Sequence, residues 1–240
     1  MGARIGIDVG GTFTDFILTR DGAPPLLHKV LSTPGDPSIA VVQGLAELAA
    51  MVDPGVSAEA FAASIETIVH GTTVATNATL THTGAKSALL TTEGIRDALE
   101  MRRGIREEQY NNAYTNVKPL VPRYLRAGVK GRLDRAGREI EPLDLAGLDA
   151  AIAGFRREGV EAVSICFMNS YANPAHEQAA AARVRAAMPG TFLTVSSMLL
   201  PSIRFYERVS TTALNSYVGP KLNRYVEQLV SRLAAAGFRG

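Results

Sequence analysis

The chain has 240 residues, 46% hydrophobic and 20% charged, enough for a sizeable core in one large α/β domain or two small ones, and this excludes a disordered polymer. Its 25 basic and 23 acidic residues leave a formal charge of +2, and 6% aromatics without tryptophan offer neither a basic footprint nor a stacking platform for nucleic acid. One cysteine, Cys166, excludes an internal disulfide and a multi-cysteine metal site; no apolar run reaches the ~18 residues of a membrane span, and Asp8 sits where a leader would be apolar, so a reducing cytoplasm is the expected setting.

Residues 4–8 alternate apolar and small side chains and predict a strand, followed by a glycine turn at Val9-Gly10-Gly11-Thr12. Residues 13–19 predict a second strand, Asp21-Gly22 a second turn, and residues 26–31 a third strand, so three antiparallel strands open the chain. Residues 38–51 carry Ile39, Val42, Leu45, Ala46 and Ala49 at helical spacing, with Ser38 as the expected N-cap. Residues 65–69 predict a short strand that His70-Gly71-Thr72-Thr73 ends, and residues 74–80 a short helix opened by a threonine cap. A strand over 86–90 follows, and Thr91-Thr92-Glu93 predicts a helix start reaching Met101.

Residues 104–142, rich in prolines and arginines, predict an irregular insertion with two short strands around Val129 and Ile140. Beyond it the pattern predicts a helix over 143–157 capped by Asp144 and ended by Gly159, and a buried strand over 162–168. A helix from Asn173-Pro174 to Met188 and a strand over 191–195 come next. Two helices, 206–217 and 221–236, are expected to be split by Gly219-Pro220. A meander followed by alternating strands and helices indicates an α/β layered fold with a mixed sheet.

The strongest local signal is Asp8-Val9-Gly10-Gly11-Thr12-Phe13-Thr14-Asp15. Glycines between strands let backbone approach a bulky anion, and consecutive N–H groups in such a turn form an anion-binding concavity. Thr12 and Thr14 add hydroxyl donors, and Asp8 can serve Mg²⁺ directly or through water. A second signal is His70-Gly71-Thr72-Thr73-Val74-Ala75-Thr76-Asn77-Ala78, between a strand and a helix whose N-terminus favours an anion. Thr73 and Asn77, four apart, share a helix face, and His70 can act as a general base, orient a carbonyl, or be a buried, bonded histidine.

A third pattern is Arg208, Thr211, Thr212 and Asn215 at i, i+3, i+4 and i+7, a polar stripe that either lines a cleft or faces solvent, with Arg208 able to clamp a phosphate or carboxylate. Arg102 and Arg103 lie in a charge-dense stretch that is either a solvated helix end or a substrate-facing loop. The apolar neighbours of Cys166 predict a core thiol, and His28, His82 and His176 lack zinc spacing.

The first motif resembles the first phosphate motif of the acetate kinase, sugar kinase and actin superfamily, in which this turn wraps the β- and γ-phosphates of ATP. Together with residues 70–77, 91–97, 170–177 and 206–217, it resembles the N-terminal part of the hydantoinase A and 5-oxoprolinase family, in order along essentially the whole chain. The resemblance implies an actin-like (ribonuclease H-like) α/β ATPase domain and an ATP- and Mg²⁺-dependent enzyme that activates a cyclic amide, such as a hydantoin or 5-oxoproline, by carbonyl phosphorylation for hydrolysis. The related ketone carboxylases remain an alternative, as do a sugar kinase-like protein and a non-catalytic partner subunit.

On this resemblance residues 1–200 form the N-terminal domain and residues 201–240 begin the following, truncated hydantoinase A domain. Asp8 would serve Mg²⁺, Gly10, Gly11, Thr12 and Thr14 would cradle phosphate, and His70 and Asp15 are the candidate catalytic residues. Thr73, Asn77, Arg208, Thr212 and Asn215 are candidate cleft residues. The second phosphate loop and adenosine-binding glycines of the superfamily are missing, so the chain is expected to be the first part of a two-lobed enzyme and inactive alone. Its expected partners are a small cyclic amide or ketone and the missing C-terminal half or a hydantoinase B-like subunit, in an oligomer; neither nucleic acid nor membrane is expected.

Overall fold

Strict alternation along the first strands sends Ile5, Ile7, Val9, Phe16 and Leu18 to one side, where they are buried, and Asp8, Asp15 and Ile17 to the other. The computed structural model describes residues 2–240. Strands β1 (Ala3–Val9), β2 (Phe13–Arg20) and β3 (Ala23–Leu31) form the expected meander, with Asp8 directly opposite Asp15. The third strand begins three residues earlier than expected; Pro24 and Pro25 are tolerated because β3 is the sheet edge.

Helix α1 (Pro37–Val52) is capped by Asp36, not Ser38: the Asp36 carboxylate accepts from the Ser38 N–H at 3.1 Å, and Pro37 suits the first turn, where no intrahelical donor is needed. A short α2 (Ala58–Ser64), which the spacing did not reveal, leads into β4 (Ile65–Thr72). Strand β4 pairs in parallel with β1 and runs on past the expected break at His70, because Gly71 and Thr72 continue the ladder beside Asp8 and Val9. Helix α3 (Val74–Leu80) has its expected bounds. The sheet order is β3-β2-β1-β4.

Residues 84–220 form the second of two compact units, the first comprising the chain up to Thr83 together with Lys221–Gly240; the expected boundary near residue 200 falls inside the second unit. Strand β5 (Ser87–Thr92) includes Thr91 and Thr92, where a helix start was expected. They stay in the strand because they pair with Gly128 and Val129, and the Thr91 hydroxyl donates to the Cys166 carbonyl at 2.8 Å. The helix that follows shrinks to α4 (Ala98–Met101). A 3-10 turn (Arg123–Leu125) precedes β6 (Arg126–Val129), the short strand expected near Val129, and the one expected near Ile140 is also present; β6 joins the sheet that holds β5.

Strands β7 (Arg132–Leu133) and β8 (Glu139–Glu141) form a separate ribbon. Helix α5 (Leu145–Arg157) is capped by Asp144, which accepts from the Gly147 N–H at 3.0 Å, and Gly159 ends that region at φ 64°. Strand β9 (Ala162–Cys166), helix α6 (Ala175–Ala187), strand β10 (Phe192–Val195) and helix α7 (Ser196–Leu199) follow. The parallel order β10-β9-β5-β6 buries every residue of β5 and β9, so both read as runs without alternation.

The expected split at Gly219-Pro220 does not occur: α8 (Phe205–Ala235) is one helix. Proline removes a donor and crowds the preceding turn, which sets nearby carbonyls free. The Tyr217 carbonyl is satisfied by the Ala85 N–H at 2.8 Å, and a Cβ on Gly219 would lie 2.3 Å from the Phe192 ring, so close packing takes the place of a break. Residues up to Pro220 belong to the second unit; from Lys221 on, Tyr225, Leu229 and Leu233 complete the core of the first with Ile5, Leu18 and Leu48. Among the described residues no helix is long and apolar enough to cross a membrane.

Candidate functional site

The first motif folds as a tight turn between β1 and β2. The Gly10 N–H donates to the Phe13 carbonyl at 3.0 Å, and a Cβ at Gly10 would sit 3.0 Å from that same oxygen, which is why a glycine is needed. Ser32, just past β3, braces the turn: its N–H donates to the Thr12 carbonyl at 2.9 Å and its hydroxyl to the Gly10 carbonyl at 2.9 Å. Thr14 is fully buried and shares its hydroxyl with Ser32 at 3.0 Å, because alternation turns it inward; it supports the turn and is not presented to solvent. The Gly11 and Thr12 N–H groups have no partner among the described residues.

The second motif docks on the first. The Thr73 N–H donates to the Val9 carbonyl at 3.2 Å, and the Thr72 hydroxyl donates to the same oxygen at 3.4 Å. The expected threonine cap is Thr72, whose hydroxyl accepts from the Val74 N–H at 3.2 Å, while Thr73 makes no side-chain cap bond. Part of the donor set expected to meet an anion is therefore spent on the fold. The Asn77 amide donates to Thr73 Oγ1 at 3.1 Å and stands against Gly11, where a Cβ would lie 3.2 Å from Asn77 Nδ2.

A cleft of about 460 Å³ opens beside this junction, lined by Gly10, Gly11, Thr12 and Asn77 together with Lys221, Arg224 and Tyr225. The last three were not anticipated. Their spacing of three and four residues placed them on one helix face, but the expected helix break hid that this face belongs with the glycine turn.

His70 does not line the cleft. Its Nε2 lies 2.8 Å from the Tyr225 hydroxyl, and its Nδ1 is buried without a partner. Burial holds the imidazole below its usual pKa against the opposing pull of the Asp8 charge, so it is neutral near pH 7, and burial pushes the Tyr225 phenol up to about 12.

Asp8 and Asp15 face the other side of the sheet, in a broad depression of about 700 Å³ shared with Ile17, Leu27 and Val69. Asp15 is tied to Lys29 at 2.9 Å, whereas Asp8 has no hydrogen-bond or ion-pair partner among the described residues. One free carboxylate at the end of β1 fits the sparse protein coordination of a phosphate-bound Mg²⁺. Among the described residues no group of three or more His, Cys, Asp or Glu side chains forms a self-sufficient metal site.

Arg208, Thr212 and Asn215 lie in the second unit, so the candidate residues divide into two groups. Arg208 and Thr212 are fully buried. The Arg208 guanidinium donates to the Phe167 and Ser202 carbonyls and lies 5.7 Å from the Tyr171 ring and 5.6 Å from the Phe205 ring. Thr212 donates to the Arg208 carbonyl at 2.6 Å, and Asn215 to Thr194 at 3.0 Å. Arg208 and Thr212, with the part-buried Asn215, form a polar seam against β9 and β10, whereas Thr211 of the same stripe is exposed.

Beside it the fully buried Glu177 accepts from the Phe167 N–H at 2.8 Å, the Ser197 N–H at 2.8 Å and the Ser196 hydroxyl at 2.6 Å. Burial pushes the Cys166 thiol up to about 11, as suits a core residue. Arg102 and Arg103 pair with Glu107 and Glu207.

Residues 4–188 match the model of the hydantoinase/oxoprolinase N-terminal region. The chain is 44% identical over 228 residues to the caprolactamase subunit alpha of Pseudomonas jessenii, covering 94% of this chain and 32% of that protein. It is 32% identical over 253 residues to the acetophenone carboxylase gamma subunit of Aromatoleum aromaticum, covering 98% of this chain and 34% of that one. The crystal structure of the ATP-dependent caprolactamase from Pseudomonas jessenii superposes with a TM-score of 0.91 at 42% identity, over 99% of this chain and 34% of that chain. The chain thus spans about a third of the length of the relatives it matches.

Proposed function

The chain belongs to the hydantoinase/oxoprolinase N-terminal family, and on that premise we propose that it is the phosphate-binding part of an ATP-dependent enzyme that opens a cyclic amide. The observation that carries this reading is the pair of free N–H groups at Gly11 and Thr12, held in a braced turn and backed by Asn77. Such a turn forms an anion-binding concavity, which in this reading takes the β- and γ-phosphates of ATP. Asp8, at the end of β1 on the opposite face of the sheet from the cleft, is the residue that would serve Mg²⁺, through water.

An unstrained amide is a poor electrophile. Transfer of the γ-phosphoryl group to the lactam oxygen, with release of ADP, turns that oxygen into a leaving group. Water then adds to the carbon, the C–N bond breaks, and a second water releases inorganic phosphate from the acyl group. In this scheme Gly11 and Thr12 position the nucleotide. Ser32 and Thr14 hold the turn rigid, and Arg208, Thr212 and Asn215 organise the second unit. His70, bonded to Tyr225 and outside the cleft lining, positions the cleft wall.

The likeness to an ATP-dependent caprolactamase favours a lactam substrate, and the likeness to an acetophenone carboxylase subunit supports a second reading, ketone activation for carboxylation. Subunit designations in both relatives support assembly with further parts of a larger enzyme. The test is ADP release by the full enzyme with caprolactam, set against acetophenone plus bicarbonate. Lactam-dependent ADP release with amino acid formation supports the first reading. ADP release only with ketone and bicarbonate moves the assignment to the second, and release with neither class overturns both.

A further inference from the structure

The cleft beside the glycine turn is one-sided in charge. No carboxylate lines it, while Lys221 and Arg224, both exposed, do. Arg224 has no hydrogen-bond or ion-pair partner among the described residues, unlike Arg232 about two turns further along the same helix, which is tied to Asp36 at 2.7 Å. Lys221 is oriented by a relay of hydroxyls: its ammonium donates to Thr83 at 3.1 Å, Thr83 meets Thr81 at 2.9 Å, and Thr81 donates to the Asn77 carbonyl at 2.7 Å. The relay fixes the ammonium to the wall that carries Asn77. Two cations, two unpartnered N–H groups and no opposing carboxylate within about 460 Å³ make a site for a polyanion.

We propose that Lys221 and Arg224 form a cation clamp that holds the terminal phosphates of a polyphosphate chain on the Gly10-Gly11-Thr12 turn. This rests on the reading of the turn as a phosphate site and adds the residues that hold the anion's charge. Attraction between exposed groups is screened by salt, so the clamp's contribution falls as ionic strength rises.

The test is calorimetric titration of the 240-residue chain with inorganic tripolyphosphate and with Mg·ATP, at low and high salt, for the wild type, Lys221→Met, Arg224→Met and Gly11→Val. Both clamp positions are exposed, and circular dichroism checks that their variants keep the fold. The expected result is tripolyphosphate binding that each clamp substitution weakens about tenfold and makes less salt-sensitive. Unchanged affinity in both clamp variants, with loss in Gly11→Val, overturns the clamp and leaves the turn reading standing. Binding of Mg·ATP without binding of tripolyphosphate also overturns the clamp alone. Binding of neither ligand by the wild type overturns the clamp and the phosphate reading together.

Discussion

The Tyr225 hydroxyl lies 2.8 Å from His70 Nε2, and this contact joins the last helix to the strand beside β1. Because His70 Nδ1 is buried without a partner, Tyr225 supplies the ring's one hydrogen bond. Tyr225→Phe leaves both ring nitrogens unsatisfied and is expected to cost about 1–3 kcal/mol. Urea unfolding at neutral pH measures it. The histidine also sets a pH dependence. Its folded pKa is depressed below the unfolded value of 6.5, so the unfolded chain takes up the proton first. The stability tied to neutral His70 is full above pH 6.5 and lost as pH falls from there through the folded pKa. NMR titration of the ring carbons should show the lowered midpoint.

Gly11 is one of the positions where the two motifs touch. An added Cβ would lie 3.2 Å from Asn77 Nδ2, tight enough that the amide must give by a few tenths of an ångström. Gly11→Ala is therefore expected to change stability by less than about 1 kcal/mol but to weaken Mg·ATP binding at least about fivefold, because the methyl occupies the cleft. Unfolding and binding measured on the same variant separate the two effects.

Glu177 accepts three hydrogen bonds in the interior of the second unit. Glu177→Gln keeps the shape but turns a donor toward groups that donate, leaving at least one of them unpaired. A loss of about 3 kcal/mol is expected, read as a lower denaturation midpoint with an unchanged slope.

Asp36 caps α1 and also holds Arg232 at 2.7 Å. Burial works to raise its pKa, but the bonds from Ser38 and Arg232 together outweigh it and hold the carboxyl below its usual value of 3.8. The sign follows: the contribution is full above pH 3.8 and lost as pH falls through the lower folded pKa. Asp36→Asn should cost about 1 kcal/mol at pH 7, with the difference from wild type shrinking below pH 3.8, measured by thermal unfolding across that range.

Much of the fold was legible where side-chain period decided the structure. The meander, α1, α3 and the Asp144-capped α5 follow from alternation or helical spacing around a capping residue. What failed was set by partners distant in sequence. Thr91 and Thr92 stay in a strand because β6 pairs with them, Gly71 and Thr72 because β1 does, and Pro220 stays in a helix that packs at Gly219 on Phe192 and whose Tyr217 carbonyl takes the Ala85 N–H. The site divides in the same way. Asp8, Gly10, Gly11 and Asn77 announce themselves as a glycine turn with polar neighbours. Lys221, Arg224 and Tyr225 join them only because the last helix completes the core of the first unit. The stripe at Arg208, Thr212 and Asn215 misled through its polarity, since nothing local distinguishes a buried polar seam from a cleft wall.

The most direct test of the central claim, that the turn after β1 holds nucleotide phosphates, is an amide ¹H–¹⁵N titration of the chain with Mg·ATP. The account expects the largest shifts at the free Gly11 and Thr12 N–H groups, with the Asn77 side-chain amide following. Shifts confined to other residues at millimolar nucleotide, with Gly11 and Thr12 unmoved, would contradict it.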